Sequence, residues 1–148
     1  DLIAAARLNA PPRSGIARGQ KVNKEEILGM YVALDRYVKH DHAKEWKAWE
    51  EKISIIDKAI KGISGVKTKV VLPPIANHTP SLSITWDDKK INLTKESMGE
   101  KLRKGSPSIE VIAWEAVNNI RLTVFMLKPD QEKIVAKRIR EELLNASV

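Results

Sequence analysis

Two short stretches, V-K-T-K-V-V-L at 66–72 and L-S-I-T-W at 82–86, decide the class of this chain. The first is rich in β-branched residues and is closed by Pro73 and Pro74, which cannot donate to a ladder. In the second, strict alternation puts Leu82, Ile84 and Trp86 on one face, the pattern of a strand with one buried side. Asp87 and Asp88 then turn the chain. Leu93-Thr94 opens a helix, with Thr94 as cap and Leu93 stapled to Met98, and Gly105 stands where a C′ glycine is expected. Residues 108–114 and 120–127 read as a further pair of strands joined by a turn near 115–119. Ile120, Leu122, Val124 and Met126 share the face that meets a helical layer. Pro129 fits the first turn of a closing helix whose buried stripe is Ile134, Val135, Ile139 and Leu143. Lys137, Arg138 and Arg140 suit the negative pole of that helix and read as structural charges.

Upstream of the strands the period is helical. Asn23 is an N-cap, Glu26 can reach back to its backbone N–H, and Val22 can staple to Ile27. Ile27, Met30, Tyr31, Leu34 and Val38 then share a face, which reads as core. Asp41 caps a second long helix through Trp46, Trp49, Ile53, Ile56 and Ile60 to about Gly62. His40 and His42, one residue apart with no nearby third ligand, read as a helix–helix corner in preference to a metal site. The opening D-L-I-A-A-A-R-L has an amphipathic pattern and no evident cap, so it reads as the end of a helix begun upstream of residue 1. Asn9-Ala10-Pro11-Pro12 stops it, and the chain runs on to Val22 as an extended connector. The order helix, helix, strand, strand, helix, strand, strand, helix predicts an α+β fold of two layers, an antiparallel sheet covered by helices.

The richest functional signal lies at 13–24, R-S-G-I-A-R-G-Q-K-V-N-K, which carries Arg13, Arg18, Lys21 and Lys24 and no acidic residue. It runs straight into the helix capped by Asn23, so cationic side chains come close to free helix-start N–H groups. This is either an anion pocket or a set of solvated loop charges. His78, in P-P-I-A-N-H-T-P beside Asn77, is a weaker candidate, since a lone histidine between prolines is more often structural or exposed.

The segment G-I-A-R-G-Q-K-V-N-K-E-E-I-L-G, followed by a helix ending in D-R-Y, resembles part of the bacterial selenocysteine synthase (L-seryl-tRNA selenium transferase) family. It is more similar still to the selenocysteine-synthase-like pyridoxal-phosphate enzymes that include the D-glucosaminate-6-phosphate ammonia-lyases. Their motif R-x-x-[RK]-V-x-K is matched at Arg18, Lys21, Val22 and Lys24, with lysine at the second basic position where arginine is common. Further matches follow in order: H-T-P-S-L-S-I-T-W-D-D, L-T-K-E-S-M-G-E-K-L-R-K-G-S-P-S-I-E-V and M-L-K-P-D-Q-E-K-I-V-A-K-R-I-R-E-E-L. The resemblance implies the small C-terminal domain of a fold-type I pyridoxal-phosphate transferase or lyase. Residues 1–22 would be the end of a helix from a large domain plus a connector, and residues 23–148 the small domain. It implies pyridoxal 5'-phosphate bound mainly by that large domain, no catalytic residue in this chain, and a small anionic amino compound as substrate. The substrate's anionic group would be held by Arg18 first, then Lys21, Lys24 and Arg13. Lysine at position 21 keeps the charge and loses the guanidinium fork, so no one member's substrate is carried over. Homo-oligomerisation is expected as well.

Composition sets the frame for both readings. A chain of 148 residues suits one domain, burying roughly 68–70% of its unfolded surface. The net charge of +7 favours anionic partners. Most cations, as in K-E-W-K-A-W-E-E-K and K-R-I-R-E-E, are nonetheless interleaved with acids, as on solvated helix faces. A nucleic-acid-binding module is the competing reading, disfavoured by an aromatic content of 5%. A purely oligomerising domain is the third, with the Trp46/Trp49 helix as its contact surface. There is no cysteine, no apolar run long enough to span a bilayer and no leader pattern, which fits a cytoplasmic protein.

Overall fold

The computed structural model describes residues 1–20, 22–74, 78–113 and 119–148. The chain divides into two compact units, Asp1–Asp41 and His42–Val148.

The first unit is helical. Helix α1 spans Leu2–Asn9, and Asp1 caps it: its Oδ1 accepts from the N–H groups of Ile3 at 2.7 Å and Ala4 at 3.3 Å. The expectation of an uncapped helix is therefore corrected, because the first residue itself supplies the acceptor. The connector is not wholly extended either, since Ile16–Gln20 forms a 3-10 helix. Gly15 is required just before it: a Cβ there would lie 2.5 Å from the Cα of Asn9, so only glycine lets the chain fold back on α1. Helix α2, Lys24–Lys39, starts as its caps dictate, with the Asn23 N–H donating to Glu26 Oε2 at 2.8 Å. The reading of its apolar face as core is overturned. No residue of α2 is buried, and Ile27, Met30, Tyr31, Leu34 and Val38 are all more than half exposed.

The second unit holds the core. Helix α3, His42–Ile60, packs along α5, Gln131–Asn145, and helix α4, Lys95–Lys104, lies beside α5. Strands β1 (Val66–Val71), β2 (Ser81–Trp86) and β3 (Asn119–Thr123) form an antiparallel sheet in that order. Leu82, Ile84, Trp86, Ile120 and Leu122 share one buried cluster with Ile53, Ile56 and Ile60 of α3, Met98 and Leu102 of α4, and Val135, Ile139 and Leu143 of α5. Long polar side chains tie the layers together. Lys52 of α3 donates to the Leu127 carbonyl before α5. Arg140 of α5 donates to the Ala59 carbonyl at 2.6 Å, satisfying one of the orphan acceptors at the end of α3. The Trp86 indole N–H donates to the Leu93 carbonyl at 2.6 Å and pins β2 to the approach of α4, where Thr94 caps as expected.

The α+β class and the antiparallel sheet stand, but among the described residues the sheet has three strands. Of residues 108–113, only Ile112 pairs, in a single bridge to Arg121; Trp114 and the expected turn lie outside the described residues. The Ile109 N–H bonds back to the Leu102 carbonyl at 3.0 Å, so this stretch is spent closing α4 before it can join a ladder. Strand β3 ends at Thr123, which leaves Met126 78% exposed instead of on the core face. Pro129 precedes α5, whose N-cap is Asp130 at φ 69°. The stripe of α5 is turned accordingly: Ile134 is exposed, and Ala136 and Glu132 are buried in its place. Gly105 closes α4 at φ −75°, so it is no left-handed C′ residue. A Cβ there would meet the Arg138 guanidinium.

Candidate functional site

The basic segment named by the sequence lies within the first unit. Arg13 is exposed, and its N–H closes a turn onto the Ala10 carbonyl at 3.2 Å. Arg18 sits in the 3-10 helix Ile16–Gln20, Lys21 lies outside the described residues, and Lys24 is the exposed first residue of α2. The backbone therefore sets Arg18 on one ordered turn and Lys24 on the next. The positive pole of α2 is already shared by Glu25 and Glu26 in its first turn, and Glu26 takes the Asn23 N–H. Selectivity for an anion here would come from the side-chain cations more than from the helix pole.

His78 is exposed. Its Nδ1 lies 3.1 Å from the Pro73 carbonyl, and its ring sits 5.7 Å from that of Trp46, which in turn lies 6.1 Å from Trp49. Asn77 is outside the described residues.

A second feature, in the other unit, comes from the strand register. Lys67 pairs with Thr85 and Thr85 with Asn119; Lys69 pairs with Ser83 and Ser83 with Arg121; Val71 pairs with Ser81 and Ser81 with Thr123. Residues paired in this way share a sheet face. These three rows are the face opposite Leu82, Ile84, Ile120 and Leu122. They carry every cation of the three strands, and the strands contain no acidic residue. Asn119 Nδ2 donates to Ser83 Oγ at 2.6 Å, so the centre of the face is a satisfied polar pair. Sequence reading tracked only the apolar half of this alternation. The signal for the other half was present in Lys67, Lys69, Ser83, Thr85 and Arg121 at period two.

The basic residues of α4 and α5 are already engaged. Arg103 donates to both carboxylate oxygens of Glu110 at 2.7 and 2.6 Å, and the bond holds the Glu110 carboxyl below its ordinary range and the guanidinium above its own. The hydrogen bond from Lys104 lowers Glu100 in the same way, and that from Lys133 lowers Asp130. Arg138 meets Glu142 at 3.3 Å, and Lys101 meets the same carboxylate at 3.8 Å.

Pyridoxal phosphate needs a sequestered lysine amine and an acid against its ring nitrogen. The described residues do not assemble that set. Lys52 is half-buried with its amine committed to the Leu127 carbonyl, Lys95 lies against Glu96, and the other described lysines are exposed. What both units present is positive charge on ordered backbone, suited to holding an anionic group.

No protein-family model matches the chain. Over 146 residues, 98% of its length, it is 26% identical to a 5'-C-glycyluridine monooxygenase-decarboxylase from Streptomyces sp, and the match spans 36% of that protein. The solved structure of a D-glucosaminate-6-phosphate ammonia-lyase superposes with a TM-score of 0.64 at 19% identity, over 89% of this chain and 35% of that one. The chain therefore spans little more than a third of each, and its α+β fold is that of the corresponding part of a D-glucosaminate-6-phosphate ammonia-lyase.

Proposed function

We propose that this chain is the small-domain portion of a selenocysteine-synthase-like, pyridoxal-phosphate-dependent lyase or transferase acting on a small anionic amino compound. The observation that carries the reading is the fold shared with D-glucosaminate-6-phosphate ammonia-lyase over 89% of the chain. The ordered sequence motifs, beginning with Arg18, Val22 and Lys24, support it. In this account the cofactor supplies the electron sink for the bond-breaking step and is held by polypeptide beyond these residues. The chain itself contributes grip. Arg18 takes the phosphate or carboxylate through two parallel hydrogen bonds, and Lys21, Lys24 and Arg13 add charge around it. Closure over the substrate excludes water and strengthens those contacts. On its own the chain is inactive. The intact enzyme is a cytoplasmic homo-oligomer.

The test compares the 148-residue chain with the full-length gene product after incubation with pyridoxal phosphate and gel filtration. The full-length protein retains a visible cofactor band that borohydride fixes to the protein, and the shorter chain does not. A full-length protein that retains no cofactor removes the proposal.

A further inference from the structure

Beside the turn that joins β2 to α4 lies a pocket of about 580 Å³ lined by Gly65, Val66, Lys67, Thr85, Trp86, Asp87 and Lys90. Its volume is that of a small-molecule site. Its electrostatics are unlike those of the helical side. Every basic residue of α4 and α5 has a partner: Lys95 with Glu96, Lys101 with Glu142, Arg103 with Glu110, Lys104 with Glu100, Lys133 with Asp130, Lys137 with Glu141, Arg138 with Glu141 and Glu142, and Arg140 with the Ala59 carbonyl. By contrast, Lys67 and Lys90 make no ion pair among the described residues, although Asp87 is close at hand. Asp87 Oδ1 instead accepts from the Lys89 N–H at 3.0 Å and stays within its own turn.

The backbone that carries these two amines is held from several directions. Gly65 adopts φ 85°, and a Cβ there would stand 2.9 Å from the Cβ of Lys90, so glycine lets the Lys90 stem lie directly on the chain entering β1. The Asp87 N–H bonds to the Gly65 carbonyl at 3.1 Å, the Lys90 N–H to the Asp87 carbonyl at 3.0 Å, and the Val148 N–H to the Lys90 carbonyl at 3.0 Å. Lys67 is fixed by its ladder pairing with Thr85, which lines the same pocket. Two lysines without an ion pair among the described residues and a threonine thus line one pocket on preordered backbone, which lowers the cost of binding.

We propose that this pocket binds the phosphate group of a small phosphorylated ligand, with Lys67 and Lys90 as its counter-charges and Thr85 as a hydrogen-bond donor. The site lies in the other unit from Arg18 and does not depend on the function proposed above.

The experiment is a titration of the isotopically labelled 148-residue chain with inorganic phosphate at constant ionic strength, read by amide chemical shifts. Saturable shifts of residues 65–67 and 85–90 are expected, and they persist in Arg18→Ala; affinity is read at these residues. Affinity should fall at least tenfold in the Lys67→Gln/Lys90→Gln double variant and remain unchanged in Lys101→Gln/Lys133→Gln, with the spectrum elsewhere preserved. Shifts that never saturate, or that survive in Lys67→Gln/Lys90→Gln, overturn the proposal. So does a single-stranded oligonucleotide that shifts the basic residues of every element alike and outcompetes phosphate.

Discussion

Replacing Ile139 and Ile134 separately by alanine tests how α5 is seated. The two positions look interchangeable in sequence, yet Ile139 is fully buried and Ile134 is 42% exposed. Ile→Ala removes about three carbons, roughly 2.4 kcal/mol of transfer free energy at ~0.8 kcal/mol each. At Ile139 the loss leaves a void among α3, α5 and the sheet, and the cavity term brings the total to about 3–5 kcal/mol. At Ile134 water replaces the lost carbons, and the cost stays under about 1 kcal/mol. Urea unfolding followed by tryptophan fluorescence suits the question, because all four tryptophans (46, 49, 86 and 114) lie in the unit His42–Val148. The midpoint of Ile139→Ala should fall well below that of Ile134→Ala at an unchanged m-value. Equal losses at the two positions, or a larger one at Ile134, would refute the observed seating of α5.

Other consequences follow from single contacts. Ser83→Ala strands the buried Asn119 amide and should cost about 1–3 kcal/mol, with the Ser83→Ala/Asn119→Val double variant less than additive in a double-mutant cycle. Thr94→Ala removes the acceptor of the Ser97 N–H and should cost about 1 kcal/mol by the same unfolding assay. Glu100, Glu110 and Asp130 have folded pKa values below the ordinary 4.5, 4.5 and 3.8, so their stabilisation is fully present above those values and is lost as pH falls through the lowered ones. All three carboxylates are exposed, so the acid loss seen in a pH series of thermal melts should be small and should shrink further in high salt.

The elements legible in the sequence were those fixed by local chemistry. Asn23 with Glu26, Thr94 with Ser97, and the prolines after β1 each act within a few residues, and the structure places α2, α4 and the end of β1 where they predict. What failed depended on tertiary context. Periodicity shows that α2 has an apolar face, but no local signal says whether anything in this chain covers it. The apolar run at 109–113 has strand composition, yet the Ile109 bond to Leu102 commits it to α4. Leu122, Val124 and Met126 keep alternating in sequence after the ladder has stopped at Thr123, because alternation records side-chain type and not pairing. The candidate site divides along the same line. Arg13, Arg18, Lys21 and Lys24 stood out as a contiguous acid-free run, whereas Lys67, Lys69 and Arg121 are scattered in sequence and share a face only through the strand register.

The most direct measurement is anion affinity in the cofactor-loaded full-length protein carrying Lys67→Gln/Lys90→Gln, which removes the other phosphate site, with and without Arg18→Ala and with inorganic phosphate as the probe. The account predicts that the cofactor band persists while affinity falls at least tenfold, and that Arg18→Lys recovers only part of it because the bidentate fork is lost. Unchanged phosphate affinity in Arg18→Ala, with the cofactor bound as before, would contradict it.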